Sequence, residues 1–282
     1  MIGRNPAAPD TLSAAPPLRA PPFWRRFWPP ALLGLLGVAS LPLVILPTLE
    51  ALMALGRAPT HSLAALALLA LIQPALLVVA GAAVGATLAP KLGFTSHASR
   101  VNVRTPFASQ IRRAIASGIV TGVVVIALDI ALFRHFRLQP PGTAHWDAIL
   151  QTLAGGVLYG GLSEEVMMRF GLMSFVVWIG ARLHARRRAA DAGASDRRVA
   201  APGGVFVAAI VIVAVLFALG HLPAATVVSP LTATLLLRIL LLNAVAGLVF
   251  GWLYWKASLE AAMLSHATVH VVFAIAQVLG WS

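Results

Sequence analysis

The sequence contains no cysteine among its 282 residues. Disulfides, iron–sulfur clusters and thiol catalysis are therefore excluded. Charge is also scarce, because charged residues make up only 11% of the chain, and Asp and Glu together number 9. A soluble domain of this size carries far more charge on its surface. Water is therefore not the main solvent of this protein.

The apolar residues are gathered into long continuous runs. Hydrophobic residues make up 59% of the chain, and its mean hydropathy is +0.88. A helix needs about 17 to 25 mostly apolar residues to cross the hydrocarbon core of a bilayer. The runs lack the period-two alternation of transmembrane barrel strands. Spanning helices are predicted within residues 31–55, 63–89, 114–133, 204–220 and 231–255.

The net charge of +12 lies mainly in segments between the apolar runs. No soluble domain with a basic face is predicted, so nucleic acid is not an expected partner, whereas membrane lipid is. Positively charged loops tend to stay in the cytoplasm. We therefore predict an integral protein of the bacterial inner (plasma) membrane with a cytoplasmic N-terminus. Three Arg/Lys clusters define the cytoplasmic face: Arg19 to Arg26, Lys91 to Arg113 and Arg182 to Arg198.

The number of spans depends on the segment from Trp146 to Leu183. The charged clusters before residue 114 and from Arg182 onward are both predicted to be cytoplasmic. Because the span at 114–133 crosses the membrane once, the segment from Trp146 to Leu183 must cross it an odd number of times. A single long or broken helix gives seven spans, and a hairpin gives eight. The sequence thus predicts an all-α, polytopic transmembrane helical bundle with seven to eight spanning helices.

The chain divides into three predicted regions. Residues 1–22 are rich in Pro and Ala and are expected to form a flexible tail, because they cannot bury enough apolar surface to offset the entropy of ordering. Residues 23–145 are expected to form N-terminal membrane helices, and residues 146–282 a catalytic helical core. Pro42 and Pro47 are expected to kink the first span.

Ionisable groups within spans are costly and are therefore functional candidates. The densest cluster is Ser163-Glu164-Glu165-Val-Met-Met-Arg169. On a helix, Glu165 and Arg169 share a face and can neutralise each other. Glu164 is turned about 100° away on a helix and remains an unpaired carboxylate. Gly156 and Gly160 precede it as a small-xxx-small pair that allows a neighbouring helix to approach closely.

Three histidines are the other candidates. His221 ends the apolar run 205–219, while His266 and His270 are four residues apart and project from one helical face. Imidazole pairs suit a metal, a proton relay or the stabilisation of an oxyanion. Glu50, Asp129 and Arg238 are further ionisable groups within apolar segments, and their spacing assigns them no role.

These residues permit hydrolysis, in which a carboxylate and an imidazole activate a water. The remaining imidazoles can stabilise the oxyanion. Alternatively, a divalent metal such as zinc is predicted to be held by Glu164, His221, His266 and His270. Two other classes of function stay open: a proton- or metal-coupled transporter that uses the same groups as a relay, and a catalytically silent scaffold.

The motifs resemble those of the CPBP intramembrane metalloproteases, also called the CAAX-processing and bacteriocin-immunity (Abi) family. The resemblance covers roughly residues 146–275 and consists of three motifs in order along the chain. These are Glu164-Glu165-xxx-Arg169, Phe217-xxx-His221, and the segment from Gly247 through Ser258 to His266.

The resemblance implies an intramembrane endopeptidase that acts on a peptide or membrane-protein substrate. It assigns activation of the water to Glu164, His221 and His266, with Glu165 and His270 beside them. Arg169 and Phe217 are implied as structural support. The family usually has Asn or Asp at the position of His270, and an imidazole there can still donate to an oxyanion or bind a metal.

Other intramembrane protease signatures match less well. Gly161-Leu162-Ser163 is a short match to a rhomboid nucleophile motif with a distant histidine. The sequence contains neither the His-Glu-x-x-His zinc motif nor Gly-x-Gly-Asp.

Overall fold

The fold is that of a computed structural model. It describes residues 20–54, 62–133, 145–192 and 201–280, and most of the predicted tail, residues 1–19, lies outside them. The described residues form ten α-helices and two π-helical segments. In chain order they are α1 Phe23–Ala39, α2 Pro42–Ala54, α3 Leu63–Leu92, α4 Ala108–Phe133, α5 His145–Leu153, π1 Ala154–Glu164, π2 Val166–Met173, α6 Ser174–Ala192, α7 Gly203–Gly220, α8 Leu222–Val228, α9 Ala233–Lys256 and α10 Leu259–Val278.

The described residues form seven helical stretches that are long and apolar enough to cross a membrane, and some of these stretches join several of the elements. The segment whose crossing number was open forms one continuous helix over Ile149–Arg188, 40 residues long, in which π1 and π2 are followed by α6. The all-α bundle is therefore confirmed, with seven spans rather than eight. A bundle surface rich in exposed large apolar side chains, such as Leu68, Ile72 and Leu76, fits an integral membrane protein.

The first span is broken where a kink was predicted. Helix α1 ends at Ala39 and α2 begins at Pro42. Proline restricts the backbone of the residue before it and has no N–H, so it suits the first turn of a new helix. The hydroxyl of Ser40 donates to the Gly37 carbonyl at 2.7 Å and to the Ala154 carbonyl at 3.1 Å. The Ser40 hydroxyl at the break thereby links the first span to the start of π1.

Side-chain caps define where several spans begin. Ser62, Thr232 and Ser258 precede α3, α9 and α10, and each hydroxyl oxygen accepts a hydrogen bond from the backbone N–H three residues later. Such caps satisfy one of the free N–H groups at a helix start. At the end of α3, Gly93 adopts the left-handed conformation with φ of 80°. This conformation favours glycine and turns the chain out of the helix.

Close packing of small residues places the long central helix in the interior. A Cβ atom on Gly171 would lie 2.5 Å from the Cα atom of Gly81, so π2 and α3 touch backbone to backbone. In π1, a Cβ atom on Gly156 would lie 2.1 Å from the ring of His270, and one on Gly161 would lie 3.1 Å from Ala267. The predicted close approach of a helix to the glycine-rich segment is confirmed, and that helix is α10.

Candidate active site

The two adjacent glutamates lie in different environments. Glu165 is fully buried, and its Oε1 atom lies 3.0 Å from Arg169 Nη1. The Arg169 N–H does not point at this oxygen, so the contact is an ion pair rather than a hydrogen bond. The predicted pairing of Glu165 with Arg169 is confirmed. Glu164 is part-exposed and lines a cavity instead.

Glu164 lies between two imidazoles. Its Oε1 atom is 4.0 Å from Nε2 of His221, and its Oε2 atom is 3.9 Å from Nε2 of His266. These distances are too long for direct hydrogen bonds, but one water with two hydrogen bonds of about 2.8 Å spans each of them. The structure thus brings together three groups from π1, the end of α7 and α10.

Each of these two histidines is oriented through its other ring nitrogen. Nδ1 of His221 lies 2.8 Å from the carbonyl oxygen of Phe217, which can only accept a hydrogen bond. Nδ1 of His266 lies 2.8 Å from Oε1 of the buried Glu165. When Nδ1 donates in both cases, the neutral rings present Nε2 toward Glu164 as an acceptor. A water between Glu164 and either ring can then donate one proton to the carboxylate and the other to an imidazole.

His270 completes the group from the next turn of α10. Its ring stacks on that of His266 with centroids 5.2 Å apart. A Cβ atom on Gly160 would lie 3.1 Å from Nε2 of His266 and 3.3 Å from Nε2 of His270. The missing side chain at Gly160 therefore leaves both Nε2 atoms free at the π1 wall.

Aromatic rings hold the histidines in place. Phe217 meets His221 and His266 edge-on, and the Arg169 guanidinium lies 4.7 Å from the Phe217 ring centroid. Phe250 stacks on His266 with centroids 4.4 Å apart. The sequence indicated Phe217 through its motif but not Phe250. The signal for Phe250 is only its place in the small-residue segment of α9, which does not distinguish it from lipid-facing neighbours.

The site opens into a cavity of about 680 Å³. All α10 residues that line it lie between His266 and Gln277, and the helix before Glu164 lines it as far back as Gln151. The cavity therefore extends from Glu164 toward the bundle end opposite the three Arg/Lys clusters. Tyr159 also lines it and had no signal in the sequence.

The serine of the rhomboid-like match does not reach this cavity. Ser163 is fully buried, and its hydroxyl donates to the Gly34 carbonyl at 2.7 Å. The side chain therefore joins π1 to α1 and is committed to packing rather than to attack on a substrate.

The side chains predicted to hold a metal do not form a ready coordination group. Among the described residues, no group of three or more His, Asp or Glu side chains is placed to hold a metal ion. Because Nδ1 of His266 pairs with Glu165, only its Nε2 atom is available toward the cavity. The set of Glu164, His221, His266 and His270 thus surrounds the cavity without forming a coordination shell, and no chemical step below depends on a metal.

Two residues that the sequence left unassigned form an ion pair on the cavity wall. Arg238 of α9 donates from Nε and Nη2 to the two carboxylate oxygens of Asp129 of α4, at 2.5 and 2.7 Å. The pair is bidentate, which favours a fixed geometry. It joins two spanning helices on the wall of the cavity. Glu50, the third unassigned group, is exposed on α2.

We expect the double variant Asp129→Asn/Arg238→Gln to lose less free energy of unfolding than the two single variants lose in total. Because both side chains are partly exposed, we expect a coupling of about 1 kcal/mol. Thermal or denaturant unfolding in detergent measures it through a double-mutant cycle. A coupling of zero would show that the pair does not hold α4 and α9 together.

The fold and the site define an integral membrane protein with a carboxylate–imidazole group inside a helical bundle. A protein-family comparison finds one similarity: residues 145–272 match the family described as type II CAAX prenyl endopeptidase Rce1-like. This match confirms the family resemblance predicted from the three motifs. At family level, it supports a CAAX-protease-like intramembrane endopeptidase. Neither the curated proteins nor the solved structures gave a significant match to this chain.

Proposed function

We propose that the protein is an intramembrane endopeptidase that hydrolyses peptide bonds with a water activated by Glu164 and histidine. The observation that carries the proposal is the position of the Glu164 carboxylate, which is one water away from Nε2 of both His221 and His266. A lone carboxylate in a cavity inside a membrane bundle is costly unless it is used. General-base catalysis is the use that this geometry supports best.

The proposed reaction starts with a water between Glu164 and the two imidazoles. Glu164 accepts a proton as the water oxygen bonds to the carbonyl carbon of the peptide, and the carbonyl oxygen becomes an oxyanion. The proton then passes from Glu164 to the amide nitrogen, and the carbon–nitrogen bond breaks. Glu164 is again a carboxylate once it has given up that proton, and the new carboxylic acid passes its own proton to the amine or to water, so the products are a carboxylate and an ammonium group.

His270 is proposed to donate a hydrogen bond to the oxyanion. Its Nε2 atom faces the same glycine, Gly160, as Nε2 of His266. No hydrogen bond to another described residue occupies its ring. Preorganised donors of this kind stabilise the transition state more than the substrate.

Glu165, Arg169 and Phe217 are proposed to position the reacting groups without touching the substrate. Glu165 holds Nδ1 of His266, and Arg169 neutralises Glu165. Phe217 holds His221 through its backbone carbonyl and lies under the Arg169 guanidinium. Of the two glutamates, only Glu164 lines the cavity, so we assign Glu165 this positioning role.

The proposed substrates are membrane-associated peptides, of which prenylated C-terminal CAAX peptides are the first class to test. The family is described by that substrate. The cavity walls are mostly apolar, with Leu41, Val44 and Phe273 among them. Moving an apolar chain attached to a peptide from the bilayer into such a cavity would cost less free energy than moving it into water.

The protein is proposed to lie in the inner membrane with its N-terminus in the cytoplasm. The described parts of the three Arg/Lys clusters fall at one end of the seven spans, as the positive-inside rule requires of a cytoplasmic face. In this orientation the cavity lies in the outer half of the bilayer. A substrate would then enter from the non-cytoplasmic face or from the membrane.

The requirement for a divalent metal such as zinc stays a prediction. If an ion binds, a rearrangement of His266 or His270 must first bring three ligands together. Loss of cleavage on treatment with a chelator, followed by recovery with added Zn²⁺, would establish that requirement.

The proposal is tested with the full-length protein in liposomes and a quenched fluorescent peptide that ends in a prenylated CAAX sequence. We expect cleavage within this sequence, identified by mass spectrometry of the products. The same peptide without the prenyl group is expected to be cut less efficiently. Absence of cleavage of either peptide would reject this substrate class, and a proton flux without proteolysis would favour the transporter.

A further inference from the structure

A second pocket, with a polar lining, lies at the end of the bundle that carries the loop between α3 and α4. It has a volume of about 410 Å³ and sits where α3 ends, α4 begins and α9 ends. Among the described residues, three cationic side chains line it and no carboxylate does. We call it the basic pocket, and its lining residues include Arg104, Arg113, Lys256, Thr105, Ser109 and Asn102.

We propose that the basic pocket binds the phosphate headgroup of an anionic phospholipid. Arg104 and Arg113 are exposed, and neither guanidinium has an ion-pair or hydrogen-bond partner among the described residues. Guanidinium groups bind phosphate in a planar, bidentate geometry. Two free guanidinium groups beside an ammonium group therefore favour binding of a phosphate diester over binding of an uncharged ligand.

The rest of the pocket is a rigid frame. The side-chain amide of Asn102 donates to the carbonyls of Phe94 and Pro90, and the Ser109 hydroxyl donates to the Pro106 carbonyl. These bonds fix the loop between α3 and α4 without using the cations. A fixed frame lowers the entropic cost of binding, because the loop does not have to be ordered by the ligand.

The location favours a lipid over a free phosphate ion. Lys256 is the last residue of α9, and its Nζ atom lies 3.5 Å from the centroid of the Trp255 ring. Trp252, one turn earlier, is exposed on the bundle surface. Tryptophan and lysine together at the end of a spanning helix are typical of the headgroup level of a membrane. Basic pockets between helices at this level are known binding sites for anionic headgroups.

The pocket also touches the base of the helix that carries the histidines of the active site. Gln110 lines it, and the Gln110 side-chain oxygen accepts a hydrogen bond of 2.7 Å from Ser258, the cap of α10. A bound headgroup would therefore hold the loop, α4 and the start of α10 together. This inference does not depend on the proposed proteolytic activity.

The experiment measures lipid binding to the delipidated full-length protein by native mass spectrometry. We expect phosphatidylglycerol to bind the wild type, and Arg104→Gln/Arg113→Gln to weaken that binding at least about tenfold. The matched control is Lys91→Gln/Arg112→Gln, which removes two nearby cations outside the pocket, and we expect a change below about twofold. Arg104→Gln alone is expected to give an intermediate loss if the double variant does not fold.

Three results would overturn the inference. Equal weakening in the control variant would indicate diffuse attraction to a basic surface. Equal binding of zwitterionic phosphatidylethanolamine would remove the need for a net anionic lipid. Displacement of phosphatidylglycerol from the wild type by millimolar inorganic phosphate would assign the pocket to a small ion instead.

Discussion

Glu164→Gln is expected to abolish proteolysis, with kcat lowered by about 10³-fold, while the protein stays folded in the membrane. General-base catalysis contributes about 10²- to 10⁴-fold to enzymatic rates, and glutamine cannot accept the proton of the water. The amide has nearly the same shape as the carboxylate, so packing around the cavity is preserved. Cleavage of the fluorescent peptide by the purified variant measures the effect.

The matched control for this variant is Glu50→Gln. Glu50 also lies on a membrane helix, but it is exposed and does not line the cavity. We expect its activity to equal that of the wild type. If Glu164→Gln retained more than about a tenth of the activity, the role of general base would be wrong. A biological activity that survives Glu164→Gln in cells would instead favour the silent scaffold.

Glu165→Leu is expected to produce the largest loss of stability among single substitutions at the site. Glu165 and Arg169 are both fully buried, and removal of one partner leaves an uncompensated charge in the interior. Such a change costs about 3–5 kcal/mol. Unfolding of the detergent-solubilised variant, followed by temperature or denaturant, measures the difference in free energy.

A compensating variant separates stability from catalysis. In Glu165→Leu/Arg169→Met both buried charges are replaced by apolar side chains, and we expect most of the lost stability to return. Activity is expected to stay low, because His266 has no partner for Nδ1 in this variant. Glu165→Gln keeps an acceptor for Nδ1, so we expect it to be more active than Glu165→Leu. Wild-type kcat in the double variant would rule out the positioning role of Glu165.

The ion pair of Glu165 and Arg169 illustrates what a short stretch of sequence predicts well. The two residues are four apart on one helix, so their proximity depends only on local geometry, and it survives in a segment with wide π-helical turns. The approach of α10 to Gly156 was predictable for a similar reason, since a glycine pair marks a face without side chains. The partner helix itself was not predictable.

The meeting of Glu164 with two histidines is a hypothesis that the spacing of these residues suggests but cannot establish. At about 1.5 Å rise per residue, His221 counted from the cytoplasmic start of 204–221 would lie about 25 Å deep, and His266 counted from Lys256 about 15 Å deep. In the structure the His221 ring points back along α7 toward Phe217, and the Glu164 side chain lies between the two rings. The direction of the side chains thus reduces a separation that a count of helix rise overstates.

Neither the pairing of Asp129 with Arg238 nor the stacking of Phe250 on His266 could be predicted from the sequence. Asp129 and Arg238 are 109 positions apart on helices that give no pairing motif. Phe250 lies in an apolar helix in which another aromatic residue, Trp252, is exposed. An apolar residue in a membrane helix packs equally well against lipid or protein, so hydropathy does not assign its face.

The sequence by itself determined the bundle of spanning helices, the placement of the charged clusters between the spans, the family resemblance and the candidate residues. These follow from composition, from apolar length and from residues near one another in the chain, all of which act through local geometry and the thickness of the bilayer. Only the tertiary structure decided that Glu164 faces the cavity with His221 and His266 while Glu165 supports them from the core. That division depends on how helices distant in sequence cross and rotate, and their packing is fixed by the complete set of contacts rather than by any one segment.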